Sequence, residues 1–278
     1  MTAPLLAIED LRVRFHLRTG TVEAVRGVSF ALGRERLGIV GESGSGKSQT
    51  GRAILGLTPP PGEVAAKRLA FDGIDLLTAS RRTLRTLRGG RISMVMQDPK
   101  YSLNPVMTIG EQIVEAYRAH ARASRAEARD RSLAMLEAVK MRDPARVFSL
   151  YPHEVSGGMG QRAMIAMMLV TDPDLLIADE PTSALDVTVS MEVLRILDEL
   201  VSERGMGLIL ISHDLKLVSS FCNRVLVMYA GRVVEELEAK NLRDAKHPYT
   251  QGLMRCLPTL QGGVHPLPTL DRDPAWAR

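Results

Sequence analysis

Aromatic residues are scarce: five Phe, five Tyr and one Trp among 278 residues leave a core that must be built from aliphatic side chains. Cysteine is nearly absent. Two, Cys222 and Cys256, exclude a disulfide framework and lack the paired spacing of a zinc or iron–sulfur site. Long apolar runs are missing too. The longest, Ala163 to Val170, has eight residues against the roughly 20 that span a bilayer. Glu9 and Asp10 interrupt the start before any apolar stretch develops, so no signal peptide is expected. The chain is therefore expected to stay in the cytosol, working at a membrane only as a peripheral subunit. Neither charge dominates: 36 Lys plus Arg against 32 Asp plus Glu give +4, which suits phosphate-bearing ligands or an anionic surface. With 45% apolar and 24% charged residues, disorder as the main state is excluded.

What is present reads first as strands. Leu5 to Phe15 and Val22 to Leu32 alternate apolar and polar residues, the first only loosely. Leu37 to Val40 does not alternate, as expected of a strand buried on both faces, and runs into a Gly-rich loop. A helix is predicted from Ser48 to Leu57, closed by the breaker Thr58-Pro59-Pro60-Pro61-Gly62. Ala-, Arg- and Glu-rich sequence from Ile109 to about Lys140 reads as an inserted helical subdomain, with Ser124 and Glu127 as a capping box. Strand signals return at Leu175–Ala178, Gly207–Ile211 and Arg224–Met228, alternating with helical stretches at 158–171 and 187–203. That alternation predicts an α/β chain with a parallel sheet covered on both faces. The tail after Leu257 is Pro- and Gly-rich and reads as irregular.

Arg81, Arg82, Arg85, Arg88 and Arg91 form a charge run before the strand Ile92–Met96. A solvated helical face explains it, and a nucleic-acid patch is the alternative. No aromatics are interleaved for base stacking, so no nucleic-acid partner is expected.

Chemistry is concentrated in a few short strings. Gly41-Glu42-Ser43-Gly44-Ser45-Gly46-Lys47-Ser48 places two glycines five apart, then Lys and Ser, between a buried strand and a helix. Glycines let backbone N–H groups turn inward around a phosphate, and the helix start adds its positive dipole end. Lys47 would then reach the β- and γ-phosphates while the Ser48 hydroxyl would ligate Mg²⁺. Leu175 to Ala178 is an apolar strand ending in Asp179 and Glu180, which suit a second contact to Mg²⁺ and a carboxylate that activates the attacking water. Ser156-Gly157-Gly158 is a Gly-rich turn before the helix Ala163–Val170, a second anion-binding helix start. Gln97 follows one strand, where an amide can touch metal or water, and His213 ends another, where an imidazole can hold a γ-phosphate.

Together these strings resemble the ATP-binding-cassette (ABC) ATPases, in that family's order. They comprise the phosphate loop at 41–48, a glutamine loop at Gln97, the signature at 156–161, the acidic strand at 175–180, Ser183-Ala184-Leu185-Asp186, and the switch histidine His213. A closer resemblance, to oligopeptide/dipeptide-type importer ATPases, rests on three further strings. These are Gln97-Asp98-Pro99 with Ser102-Leu103-Asn104-Pro105, Tyr151-Pro152-His153-Glu154, and His247-Pro248-Tyr249-Thr250. Two departures stand out: Gly160 replaces the usual basic signature residue, and Cys256 stands alone where relatives can carry a tail cysteine cluster, so no iron–sulfur cluster is expected.

The resemblance implies a P-loop NTPase (RecA-like) core with an N-terminal antiparallel β subdomain and an inserted helical subdomain at about 98–165. The ATPase domain would cover 5–257, with a C-terminal extension over 246–278. It implies ATP and Mg²⁺ as ligands. Phe15 would stack on adenine; Gly41 to Ser48 with Gln49 would hold the phosphates; Ser48, Gln97 and Asp179 would hold the metal. Glu180, His213 and Gln97 would serve catalysis. Ser156, Gly158, Gln161 and Asp186 would act across a dimer with a paralogous or identical ATPase subunit. Two membrane permease subunits, and indirectly an extracytoplasmic solute-binding protein, would be the other partners, at the cytoplasmic face of the inner membrane. An ABC protein of translation or DNA repair would need a second cassette or a long coiled coil, which 278 residues do not hold. A phosphate-loop kinase would have no use for Ser156-Gly157-Gly158.

Overall fold

The computed structural model describes residues 3–97, 102–183, 185–256, 273 and 276. Asp98, Pro99, Ala184 and the tail from Leu257 to Asp271 lie outside the described residues. The chain divides into two compact units: residues 1–79 with 209–278, and residues 80–208.

In the first unit, β1 (Leu6–Leu17) and β2 (Gly20–Leu32) form a long antiparallel hairpin, paired from Leu6↔Leu32 to Leu17↔Gly20. Its loose alternation has a physical cause. Leu6 and Ile8 are buried, then Leu11 and Val13, so the inward face changes parity. A register shift between Ile8 and Leu11, with Asp10 at φ 52°, absorbs the extra residue. The Asp10 N–H donates to Ser29 Oγ (2.8 Å), and the Arg12 guanidinium beside it holds the Asp10 carboxyl below its usual range. The sheet continues through β4 (Gly62–Ala65), β5 (Arg68–Phe71) and β6 (Ile74–Asp75), in the order β2-β1-β5-β6 with β4 also on β1. The breaker thus ends in a strand at Gly62, and the helix α1 (Lys47–Ile54) stops three residues short of the expected Leu57.

The same unit carries β3 (Arg36–Val40), β9 (Gly207–Ser212), β10 (Arg224–Tyr229) and β11 (Arg232–Glu238), the chain re-entering the unit within β9. Their order is β11-β10-β3-β9, with β3 and β10 parallel and β11 antiparallel to β10. Leu37, Ile39 and Val40 are fully buried, as the unalternating run requires. Helix α8 (Leu215–Phe221) rests on β3 at Gly38, where a Cβ would come within 2.1 Å of Val218 Cγ1. Cys222 caps the end of that helix. Burial pushes its thiol up to about 12, so it stays protonated at neutral pH. Maleimide should therefore label Cys222 slowly in the native chain at pH 7.5 and rapidly in urea; fast native labelling, located by peptide mapping, would contradict that environment.

In the second unit, β7 (Ile92–Val95) runs parallel to β8 (Leu175–Asp179). Ahead of them, α2 (Arg81–Leu87) is capped by Ser80 and carries Arg81, Arg82 and Arg85 exposed, a solvated face. Arg91 is different: its Nε donates to Asp174 Oδ2 at 2.7 Å. The helical stretch from Ile109 is two helices, α3 (Ile109–Arg118) and α4 (Arg125–Ala138), followed by α5 (Pro144–Ser149). Ser124 and Glu127 form the capping box on α4, and the Ser124 N–H lowers the Glu127 carboxyl. Gly110 is needed because a Cβ there would meet the Phe148 ring at 2.2 Å. The unit closes with α6 (Gly157–Leu169) and α7 (Val187–Glu203). Among the described residues, no helix is long and apolar enough to cross a membrane.

Candidate functional site

The phosphate loop leaves β3 at Gly41 and enters α1 at Lys47. Gly41, Gly44 and Gly46 have φ of 151°, 82° and 100°, which a side chain would strain. Space forbids one too: a Cβ on Gly41 would lie 2.2 Å from the Met228 carbonyl oxygen, and on Gly46 2.4 Å from that of Ala24. The loop is thus pressed against β10 and β2, and Gly231 N–H donates to the Ser45 carbonyl at 3.0 Å.

Inside the loop, the Lys47 ammonium donates to the carbonyls of Gly41 and Glu42, both at 2.8 Å, and the residue is only 5% exposed. An ammonium folded back on loop carbonyls is poised to exchange them for phosphate oxygens. Ser45 Oγ and Gln49 Oε1 are buried without a partner among the described residues. Such orphaned groups are costly unless a ligand or water meets them. The N–H groups of the first turn of α1 likewise lack helical acceptors. These residues fit a polyphosphate.

The acidic strand is built in the second unit. Asp179 ends β8 and is 5% exposed, while Glu180 turns out of the strand at φ 47°. A non-glycine residue in the left-handed region is held there by its surroundings. The Glu180 carbonyl accepts from Ser183 N and Oγ, both at 3.2 Å. Gln97 Nε2 donates to Glu180 Oε2 at 3.4 Å, a long contact that joins two residues 83 apart in sequence. The amide thus meets the carboxylate at one oxygen.

Ser156 is the N-cap of α6, its Oγ accepting from Met159 N–H at 3.4 Å. Gly157 and Gly158 belong to the first helical turn and not to a turn before it. That places their N–H groups at the helix start, where they lack helical acceptors. Gly158 lets α7 approach: a Cβ there would meet Val189 Cγ1 at 2.6 Å. Asp186 caps α7 by accepting from Val189 N–H at 3.0 Å. Ser156, Gly158, Leu185, Asp186 and Val189 line one hollow of about 720 Å³. Gln161 is 1% exposed and points inward, its Nε2 without a partner among the described residues.

Phe15 lies on β1 opposite Val22 and Gly62, half-buried, with room only because residue 62 has no Cβ. His213 is exposed at the end of β9, one residue before Asp214, which caps α8 by accepting from Lys216 and Leu217 N–H. Phe15, residues 41–49 and His213 thus belong to the first unit. Gln97, Ser156, Gly158, Gln161, Asp179, Glu180 and Asp186 belong to the second.

One contact was not foreseen. The Glu42 N–H donates to the Tyr249 hydroxyl at 3.0 Å. The available signal was the string His247-Pro248-Tyr249-Thr250, noted only as a mark of resemblance.

Known proteins resemble this chain in sequence and in fold. The sequence profile of the family described as "ABC transporter" matches residues 25–183. The chain is 47% identical over 268 residues to the dipeptide transport ATP-binding protein DppD of Haemophilus influenzae, covering 96% of this chain and 81% of that one. It is 47% identical over 272 residues to the oligopeptide transport ATP-binding protein OppD of Salmonella typhimurium, covering 97% and 81%. Among solved structures it resembles the dimeric post-hydrolysis state of the ATP-binding cassette MJ0796 bound to ADP and Pi. There the TM-score is 0.74 and the identity 27%, over 84% of this chain and 98% of that one.

Proposed function

This chain belongs to the ABC transporter family, and on that premise we propose that it is the ATP-hydrolysing subunit of a peptide importer. It works at the cytoplasmic face of the inner membrane, paired with an identical or paralogous ATPase subunit against two permease subunits. A solute-binding protein outside the membrane delivers the cargo. The observation that carries the ATPase reading is the glycine-shaped loop folded around the Lys47 ammonium. The cargo class rests on the likeness to DppD and OppD. A single cassette spans 5–257, its helical insertion lies at about 98–165, and 246–278 is an extension.

In this reading Phe15 stacks on adenine, and the N–H groups from Glu42 through Gln49 surround the phosphates. Lys47 leaves the Gly41 and Glu42 carbonyls to neutralise the β- and γ-phosphates. Ser48, Asp179 and Gln97 would hold Mg²⁺, which would draw charge from the phosphate oxygens. Glu180 orients a water and takes its proton as that water attacks the γ-phosphorus, the bond from that phosphorus to the β,γ-bridging oxygen breaks to leave ADP, and His213 steadies the released phosphate. Ser156, Gly158 and Asp186 serve the ATP bound to the facing subunit, whereas Gln161, 1% exposed within α6, is too buried to reach it.

Lys47→Ala should weaken binding of a fluorescent ATP analogue to the purified chain by about ten- to a hundredfold, the worth of one charge-assisted contact. Equal affinity in the two proteins would remove the loop from nucleotide binding. Cells lacking the chain should lose uptake of labelled di- and oligopeptides. Undiminished peptide uptake together with loss of another solute would reassign the cargo.

A further inference from the structure

Among the described residues of the extension, Tyr249 reaches the phosphate loop. Tyr249 opens α9 (Pro248–Arg255) and is fully buried, yet its hydroxyl accepts the N–H of Glu42, the second residue of the phosphate loop. Its ring is clamped. Tyr229, the last residue of β10, lies 4.6 Å away between centroids, and Trp276 lies 5.9 Å away. Its own N–H donates to His247 Nδ1 at 3.2 Å, which ties the start of the helix. β10 and the turn after it also support the loop directly, through the Met228 carbonyl under Gly41 and the Gly231 N–H on Ser45.

Both backbone polar groups of Glu42 are therefore held. Its carbonyl accepts from Lys47 Nζ and from Ser45 N–H, and its N–H is held by Tyr249. Lys47 Nζ has three N–H donors and gives two of them to the Gly41 and Glu42 carbonyls, so turning the ammonium toward a phosphate loosens its hold on Glu42. We propose that Tyr249 is a positioning residue for ATP: its hydroxyl fixes the Glu42 peptide, so the loop keeps its binding shape once Lys47 has turned to the phosphates. This rests on the phosphate-loop reading above. Without the hydroxyl, the loop samples shapes that do not bind, and apparent affinity falls by the fraction that remains competent.

Tyr249→Phe keeps the ring and removes the acceptor. In the full-length chain, the dissociation constant for a fluorescent ATP analogue should rise about three- to tenfold, the worth of one hydrogen bond. In the assembled transporter KM for ATP should rise while kcat stays within about twofold, because Glu180 and Gln97 are untouched. A merely structural tyrosine would lower the melting temperature and the active fraction and leave the dissociation constant and KM unchanged; that result would overturn the proposal. Failure of the wild-type chain itself to bind ATP would instead overturn the phosphate-loop reading. If Tyr249→Phe does not fold, hydrogen exchange on the unaltered chain decides. The Glu42 amide should be protected with and without ATP, and exchange at the rate of a free loop amide would overturn the role.

Discussion

Glu180→Gln is expected to leave ATP binding at wild-type strength while hydrolysis in the assembled transporter falls by about 10²–10⁴-fold, the usual contribution of a positioned general base. The substitution suits the test because it alters little else. Glutamine keeps the length and planarity of the side chain, and its carbonyl oxygen can still accept from Gln97 Nε2. The backbone at φ 47° and the Ser183 contacts to the Glu180 carbonyl do not depend on the carboxylate. What goes is the negative charge and the basicity. Burst kinetics would separate the two effects, with stoichiometric binding and no phosphate release expected. Near-normal turnover would transfer the role of base to another group, with the neighbouring Asp179 first in line because it ends the same strand.

The parts legible in sequence were those whose chemistry demands fixed residue types at short spacing. The phosphate loop needs glycine at positions with positive φ, and that need shows as Gly41, Gly44 and Gly46. The acid pair follows a strand buried on both faces, which announces itself by an unbroken apolar run. Other parts carried no such signal. β4, β5 and β6 have two to four residues each, too few to show a period. The parity change on β1 depends on a bulge at Asp10 that only pairing with β2 reveals. Gly157 and Gly158 read as a turn because glycine is a poor helix former, yet the Ser156 cap and the approach of Val189 hold them in α6. The Tyr249–Glu42 hydrogen bond joins residues 207 apart, a separation at which no local pattern operates.

Ser156→Arg should separate two sites that a single chain serves. The Ser156 hydroxyl accepts within its own helix, from Met159 N–H, so the variant leaves the Lys47 contacts to Gly41 and Glu42 as they are. Losing the cap costs about 1 kcal/mol of helix stability, which a well-packed unit tolerates. The long guanidinium then fills the hollow lined by Gly158, Asp186 and Val189. In the proposed sandwich that hollow faces the γ-phosphate held by the other subunit, with the Ser156 O–H and the Gly158 N–H as donors. The chain should therefore bind a fluorescent ATP analogue within about twofold of wild type, since no atom of its own loop has changed. Hydrolysis should be lost at the site formed by the partner's phosphate loop. In a transporter with two different ATPase subunits, pairing Ser156→Arg with Glu180→Gln on the same chain disables both sites by separate routes. Removing the corresponding carboxylate of the partner instead strikes the site that Ser156→Arg already blocks, and should add little. Loss of ATP binding by the isolated Ser156→Arg chain, with its melting temperature unchanged, would mean that the signature acts on its own chain's nucleotide and that the sandwich is wrong.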